Sequence, residues 1–201
     1  MSDQKHKAVF IDKDGTLIPD IPYNVNADLI RIEPETIKGL FAIKQLGFLV
    51  LVISNQPGIA KGYFEEKDLE NVKNKIQALL GQHRISIDGF YYCPHYPGAV
   101  VSSFSVDCDC RKPMPGLILK AARDLDIDIE QSWMIGDILN DVEAGKRAGC
   151  RTILIDNGNE TEWIINALRV PDATAKNIAE AAAIIKENSK TALHYERLEG
   201  L

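Results

Sequence analysis

Two patterns of apolar residues alternate along this chain. Short continuous apolar runs are typical of strands buried on both faces, and apolar residues repeated every three or four positions are typical of amphipathic helices. The continuous runs predict five strands, at residues 8–11, 48–53, 90–92, 133–135 and 151–155. The helical spacing predicts helices at residues 34–46, 65–80, 117–125 and about 176–186, and one more that contains Asp141 and ends at Gly149.

This alternation of strands and helices predicts an α/β fold. Such strands pair in parallel through right-handed crossovers, which place helices on both faces of the sheet. We therefore expect a Rossmann-like three-layer sandwich with a mostly parallel central sheet. The pattern weakens after Asp156: residues 157–162 are expected to form a loop, and residues 189–201 a tail or a short packed helix.

Polar side chains follow three of the predicted strands, at the point where each strand ends. They are Asp12 and Asp14 after the first, Ser54, Asn55 and Gln56 after the second, and Asp137 after the fourth. Ligands of open parallel sheets bind beyond the carboxyl ends of the strands, so we expect these side chains to converge on one site. The alternative is that they are solvated turn residues and helix caps.

Composition and charge limit the number of domains and the partners. With 201 residues, 45% of them hydrophobic, and no long linker, we expect one domain over residues 1–201, in which residues 157–201 are a C-terminal extension. The net charge of −6 argues against nucleic acid or an anionic membrane as a partner. The polar N-terminal residues predict neither a secretory signal nor a membrane span. We expect a cytoplasmic protein with a small-molecule substrate, a monomer or alternatively a dimer.

Four metal-binding side chains occur as two tight pairs, Cys93 with His95 and Cys108 with Cys110. Three thiolates and one imidazole match a closed tetrahedral Zn²⁺ site, and we expect a zinc loop over residues 93–110. The alternatives are a disulfide, which would be strained between Cys108 and Cys110, and unrelated core thiols. Cys150 stands apart and is expected to be a core thiol.

Four spaced motifs together resemble those of the haloacid dehalogenase superfamily. They are Asp12 with Asp14, Ser54 with Asn55, Arg111 with Lys112, and Asp137 with Asp141. The resemblance implies a phosphatase in which Asp12 is the nucleophile that forms an aspartyl-phosphate and Asp14 is the general acid and base. It also implies a Mg²⁺ ion bound by Asp12, the backbone carbonyl of Asp14 and Asp137. A set of oxygen ligands suits Mg²⁺ on chemical grounds as well.

The same resemblance implies a role for the remaining polar residues. Ser54, Asn55 and Gln56 would bind the phosphoryl group or its surroundings, and Arg111 with Lys112 would supply positive charge. Asp141 would orient Lys112 or the waters of the metal. Because the zinc loop ends directly before Arg111, we expect zinc to hold the two cations over the phosphate pocket. The alternative is that Arg111 and Lys112 are a solvated pair.

The zinc loop narrows the resemblance to a subgroup. The runs Tyr-Tyr-Cys-Pro-His and Cys-Asp-Cys-Arg-Lys-Pro are similar to those of the D-glycero-D-manno-heptose 1,7-bisphosphate phosphatases and the related histidinol-phosphate phosphatases. This implies a phosphorylated heptose as substrate, within lipopolysaccharide biosynthesis, with histidinol phosphate as the alternative. Ile138 is a departure, because the heptose enzymes tend to carry a Lys there. From a different class, a non-catalytic, metal-bound phosphate-binding scaffold is a further alternative.

The motif spacing leaves no room for a cap domain. About forty residues separate Asp14 from Asn55, and a helix and a strand already occupy them, whereas compact domains rarely fall below about 50 residues. We therefore expect a capless phosphatase whose specificity is set by loops at residues 19–23 and 56–61 and by the zinc loop.

Overall fold

A parallel sheet of six strands lies at the centre of this computed structural model, which describes residues 5–199, with side chains described as far as residue 189. The strands are β1 (Ala8–Ile11), β2 (Leu49–Asn55), β3 (Gly89–Cys93), β4 (Trp133–Gly136), β5 (Arg151–Ile155) and β6 (Ala173–Ala175). They are arranged in the order β3-β2-β1-β4-β5-β6, and every neighbouring pair is parallel. The predicted parallel sheet is therefore confirmed.

Six α-helices accompany the sheet: α1 (Pro34–Gln45), α2 (Pro57–Ala60), α3 (Glu66–Gly81), α4 (Gly116–Asp124), α5 (Leu139–Ala148) and α6 (Ile178–Glu199). Short 3₁₀ turns occur at Ala27–Leu29 and Ser102–Phe104. Each predicted helix is present, and the boundaries of the five predicted strands differ from those of β1 to β5 by at most two residues. No helix within residues 5–199 has both the length and the apolar character needed to cross a bilayer.

Successive residues of the central strand face opposite layers. Val9 and Ile11 of β1 pack in the larger core cluster, with residues of α1, α3 and α6. Ala8 and Phe10 pack in a second cluster that contains residues of α4. All four β1 side chains are fully buried, so the predicted three-layer sandwich is confirmed.

Two features of the C-terminal part differ from the predicted elements. β6 was not predicted because Ala-Thr-Ala has no continuous apolar run, and only its pairing with β5 makes it a strand. The last helix was predicted at residues 176–186, whereas α6 extends to Glu199, so the backbone of residues 189–199 is helical. Residues 200–201 lie outside the described range.

Between Asp14 and Asn55 the structure contains one 3₁₀ turn, α1 and β2, as expected for a capless fold.

Replacing Gly39 by alanine is expected to destabilise the contact between α1 and α6. A Cβ atom at Gly39 would lie 2.4 Å from the carbonyl oxygen of Ile178. Overpacking typically costs about 1–3 kcal/mol, more than the gain of up to about 1 kcal/mol that alanine brings to a helix interior. We expect Gly39→Ala to lower the free energy of unfolding by ~1–2 kcal/mol in chemical denaturation.

Gly81→Ala is the matched control. Gly81 is the last residue of α3, and a Cβ atom there would have no heavy atom within 4 Å. We expect this variant to be as stable as the wild type or slightly more stable. Equal stability of the Gly39 and Gly81 variants would contradict the close packing of α1 on α6.

Candidate functional site

The polar ends of β1, β2 and β4 meet at one edge of the sheet. Because β1 lies between β2 and β4, the residues that end or follow these three strands are neighbours in space. Asp12, Asp14, Asn55 and Asp137 border a cavity of about 200 Å³, which Ser54 and Gln56 do not line. Its lining residues are Asp12, Asp14, Asp20, Asn55, Lys112, Asp137, Ile138 and Asn159.

Lys112 brings positive charge to the floor of this cavity. Its ammonium group contacts the carboxylate of Asp12, lies 2.6 Å from Oδ1 of Asp141 and donates to the carbonyl of Ile53 at 3.0 Å. The lysine is only 3% exposed. Burial alone would lower the pKa of Lys112, but the charges of Asp12 and Asp141 reverse the effect, so the pKa is raised. Lys112 therefore stays protonated, and the predicted partner of Asp141 is beside it.

Three buried carboxylates cluster around Lys112, and two of them, Asp12 and Asp141, contact its ammonium group. Ligand oxygens of Asp12, Asp137 and Asp141 all lie within 4.8 Å of one another. Burial raises the pKa of Asp12 and of Asp141. Burial, together with the nearby charge of Asp12, also raises the pKa of Asp137 to about 6. One ammonium group does not neutralise three carboxylates, so the cluster has negative charge left for a cation. The oxygen donors fit Mg²⁺.

Asp14 borders the same cavity and is held by two neighbours. Its Oδ1 accepts a hydrogen bond from Nζ of Lys13 at 2.7 Å, and its Oδ2 accepts one from Nε2 of Gln56 at 2.9 Å. Gln56 also donates to Oγ of Ser54 at 2.7 Å. Lys13, which is 1% exposed, was not predicted as a site residue, because in the sequence a buried lysine between two acids looks the same as a solvated one.

Asn55 attaches β2 to the loop that carries Lys112. Its Nδ2 donates to the carbonyl of Lys112, and its Oδ1 accepts from the backbone N–H of the same residue, both at 3.0 Å. One amide hydrogen of Asn55 is left for another acceptor. Its contact with a phosphoryl group therefore stays a prediction, and its structural contact is with Lys112.

The two predicted Cys and His pairs form one cluster. Sγ of Cys110 lies 3.0 Å from Sγ of Cys93, 3.2 Å from Sγ of Cys108 and 3.3 Å from Nδ1 of His95. All four cysteines of the chain are free, which excludes the disulfide alternative in this structure. Three sulfurs and one imidazole nitrogen within 4.8 Å of one another fit tetrahedral Zn²⁺. Cys150 is buried in the cluster that contains Phe10, as expected for a core thiol.

The cations Lys61 and Arg111 contact aromatic rings in place of acids. Lys61 Nζ lies 4.8 Å from the ring centroid of Tyr96, and Cζ of Arg111 lies 5.1 Å from the same ring. Lys61 also donates to the hydroxyl of Tyr23 at 2.7 Å. Within the described side chains, neither cation forms an ion pair, and Nη1 of Arg111 is buried without a hydrogen-bond partner. Lys61, in the 56–61 loop, thus contacts residues of the 19–23 loop and of the zinc loop, the other two loops that were expected to set specificity.

Asp137 has two neutral hydrogen-bond donors that the sequence analysis also missed. Oγ1 of Thr16 donates to its Oδ1 at 2.8 Å, and Nδ2 of Asn159 donates to its Oδ2 at 2.6 Å. Thr16 directly follows the Asp-x-Asp-Gly run, so its position in the sequence could have identified it as a site residue. Asn159 lies 22 residues from Asp137 in a loop without a pattern, and only the fold brings it here.

Comparison with known proteins gives consistent matches. Residues 109–181 match the family model described as HAD-hydrolase-like. A protein of Escherichia coli K12 named D-glycero-β-D-manno-heptose-1,7-bisphosphate 7-phosphatase is 36% identical over 179 residues, which cover 84% of this chain and 94% of that protein. A protein of Pasteurella multocida with the same name is 39% identical over 153 residues, covering 76% of this chain and 83% of that protein.

Solved structures with the same fold include two at more than 25% identity. A HAD-like phosphatase from Mesorhizobium loti superposes with a TM-score of 0.79 at 28% identity, covering 91% of this chain and 87% of that one. The D,D-heptose 1,7-bisphosphate phosphatase of B. bronchiseptica, complexed with magnesium and phosphate, gives a TM-score of 0.74 at 26% identity. That match covers 90% of this chain and 99% of the other.

The raised pKa of Asp137 predicts a pH-dependent contribution to stability in magnesium-free buffer. Between the ordinary aspartate pKa of 3.8 and the raised pKa of about 6, the folded state keeps a proton that the unfolded chain has lost. The stabilisation from this group is therefore present at low pH and is lost as the pH rises through this window. We expect the difference in free energy of unfolding between wild type and Asp137→Asn to change by on the order of 1–3 kcal/mol from about pH 4 to about pH 7. A difference that is independent of pH would contradict the shift.

Proposed function

This chain belongs to the haloacid dehalogenase superfamily, and we propose that it is a magnesium-dependent phosphatase that removes the 7-phosphate of D-glycero-D-manno-heptose 1,7-bisphosphate. The observation that carries the proposal is the buried carboxylate of Asp12 at the cavity floor, in contact with Lys112. A carboxylate held this way by a strand end and a cation is suited to attack on phosphorus. The 36% identity to a relative of that name supports the choice of substrate.

In the proposed reaction, a carboxylate oxygen of Asp12 forms a bond to phosphorus while the bond from phosphorus to the sugar oxygen breaks. Asp14 donates a proton to the departing oxygen and then takes one from the water that hydrolyses the aspartyl-phosphate. Asp12, the backbone carbonyl of Asp14 and Asp137 would hold Mg²⁺. The ion, when bound, supplies positive charge against the phosphoryl oxygens.

Lys112 provides the fixed charge for the phosphoryl group in this proposal. Its contacts to Asp12, Asp141 and Ile53 hold the ammonium in place before substrate arrives, so little reorganisation is needed when negative charge develops. Ser54 is fully buried beside Gln56 and retains a hydroxyl hydrogen for a phosphoryl oxygen.

The cations Lys61 and Arg111 favour a bisphosphate over histidinol phosphate. Neither has a carboxylate partner among the described side chains, and both lie beside Tyr96. Lys61 also contacts Tyr23, which borders a pocket together with Asp14, Asn55 and Gln56. A second phosphate would meet these charges, whereas the amine of histidinol phosphate would be repelled by them. Ile138 lines the cavity where a lysine tends to stand in the heptose enzymes, so Lys61 and Arg111 would carry more of the contact here.

We further propose that the Cys and His cluster binds a structural zinc ion. Arg111 lies over the ring of Tyr96, which is inside the loop closed by this cluster, whereas Lys112 is held from outside the loop by Asn55 and Ile53. Loss of zinc would therefore displace Arg111 more than Lys112. The chain would act as a single cytoplasmic domain in lipopolysaccharide biosynthesis.

Replacing Asp12 by asparagine is the primary test of the proposed activity. The substitution keeps the size of the side chain but removes the nucleophile, so phosphate release from heptose 1,7-bisphosphate should fall by about a thousandfold or more. The assay compares both anomers of the bisphosphate, histidinol phosphate and common sugar phosphates with Mg²⁺ present. Asp124→Asn, at a solvent-exposed acid of α4, is the matched control and should retain full activity.

Two outcomes would contradict the proposal. Unchanged phosphate release by the Asp12 variant would mean that the reaction occurs elsewhere. A wild-type kcat/KM highest for histidinol phosphate would assign the alternative substrate, because discrimination is a ratio of kcat/KM values.

Cys108→Ala tests the role proposed for zinc. We expect the variant to lose zinc in elemental analysis and to show a KM for the bisphosphate raised about tenfold, with a smaller change in kcat, because a charged contact through Arg111 is lost. Cys150→Ala removes a thiol outside the cluster and should retain both zinc and KM. A folded Cys108 variant without zinc but with wild-type kcat and KM would refute this role.

A further inference from the structure

A loop after β5 reaches across the sheet edge to the acidic cluster. Asn157 donates from Nδ2 to the carbonyl of Gly15 at 2.7 Å, and the backbone N–H of Asn159 donates to Oδ1 of Asn157 at 3.2 Å. Oε2 of Glu160 accepts from the backbone N–H of Leu139, the first residue of α5, at 2.6 Å. The 157–160 loop is thereby attached both to the turn after β1 and to the start of α5.

This attachment places the amide of Asn159 against one ligand of the proposed metal site. Nδ2 of Asn159 lies 2.6 Å from Oδ2 of Asp137, and Asn159 borders the same cavity as Asp12. The glycine at position 15 is required for this approach, since a Cβ atom there would lie 2.0 Å from Oδ2 of Asp137 and 2.5 Å from Nδ2 of Asn159. Backbone and amide therefore pack closely around this carboxylate.

The hydrogen bond leaves Asp137 able to bind a cation. An ionised carboxylate has about four lone-pair sites, and the donors Thr16 and Asn159 use one on each oxygen. Both donors are neutral, so they fix the orientation of the carboxylate without neutralising its charge. Partners that orient a metal ligand in this way typically contribute about 10–100-fold to metal affinity or activity.

We propose that Asn159, delivered by the 157–160 loop, is a positioning residue that holds Asp137 in the orientation that binds the divalent cation. Asn159 acts through Asp137 and does not itself bind the metal or the substrate. The C-terminal extension thereby contributes to the metal affinity of the site. This inference rests on the proposed function only for the identity of the metal.

The test measures binding of Mg²⁺ to the substrate-free protein by titration calorimetry. Asn159→Ala removes the amide donor, and we expect the Kd for Mg²⁺ to rise about tenfold or more. Asn166→Ala is the matched control, because Asn166 is an exposed residue of the same extension, bonded locally to the backbone of Leu168, and it should leave the Kd unchanged. Circular dichroism verifies that both variants are folded.

Turnover distinguishes positioning from general disruption. At limiting Mg²⁺ the Asn159 variant should be slow, and at saturating Mg²⁺ its kcat should return to within about twofold of the wild type, because only the population of bound metal has changed. A wild-type Kd in Asn159→Ala, or a kcat that saturating Mg²⁺ does not restore, would overturn the inference.

The calorimetry also separates this inference from the proposed function. If wild type binds Mg²⁺ and the variant binds it more weakly, the inference holds even when heptose 1,7-bisphosphate is not the substrate. If the wild type hydrolyses that substrate and both proteins bind Mg²⁺ equally, the inference alone is wrong. Absence of Mg²⁺ binding by the wild type would overturn both.

Discussion

The ammonium group of Lys112 between the carboxylates of Asp12 and Asp141 is the contact on which the rest of the site depends. A buried charge is tolerated only when it is paired, and removing one partner of such a pair typically costs about 3–5 kcal/mol. The three residues come from the position after β1, the first turn of α5 and the segment that follows the zinc loop. Their meeting therefore requires the parallel order β2-β1-β4.

More negative charge surrounds Lys112 than its one positive charge can neutralise, so part of the acidic cluster is paired and part of it lacks a cation. Two of the three clustered acids contact the lysine, whereas the side-chain hydrogen bonds of Asp137 come from the neutral donors Thr16 and Asn159. Burial raises the pKa of Asp137 to about 6, which records the cost of charging it without a cation. A divalent ion bound to Asp137 would stabilise its ionised form.

The cations Lys61 and Arg111, which have no acidic partner among the described side chains, contrast with the net charge of −6. Lys61 and Arg111 are stabilised by the ring of Tyr96, and Lys61 also by the hydroxyl of Tyr23. Aromatic rings hold cations without cancelling their charge, so both remain available to an anionic group of a substrate. A few cations placed locally can therefore attract an anionic group even though the protein as a whole is acidic.

The sequence alone determined the layered α/β fold, the acids after β1 and β4 and the four residues of the Cys and His cluster, because apolar periodicity and short spacings act locally along the chain. It did not predict β6, the burial of Lys13 or the contact between Asn159 and Asp137. β6 is a strand only because β5 offers a free edge, and Asn159 reaches Asp137 only after 22 residues of chain have folded back. Such contacts depend on which segments the sheet brings together, and this is decided by tertiary structure.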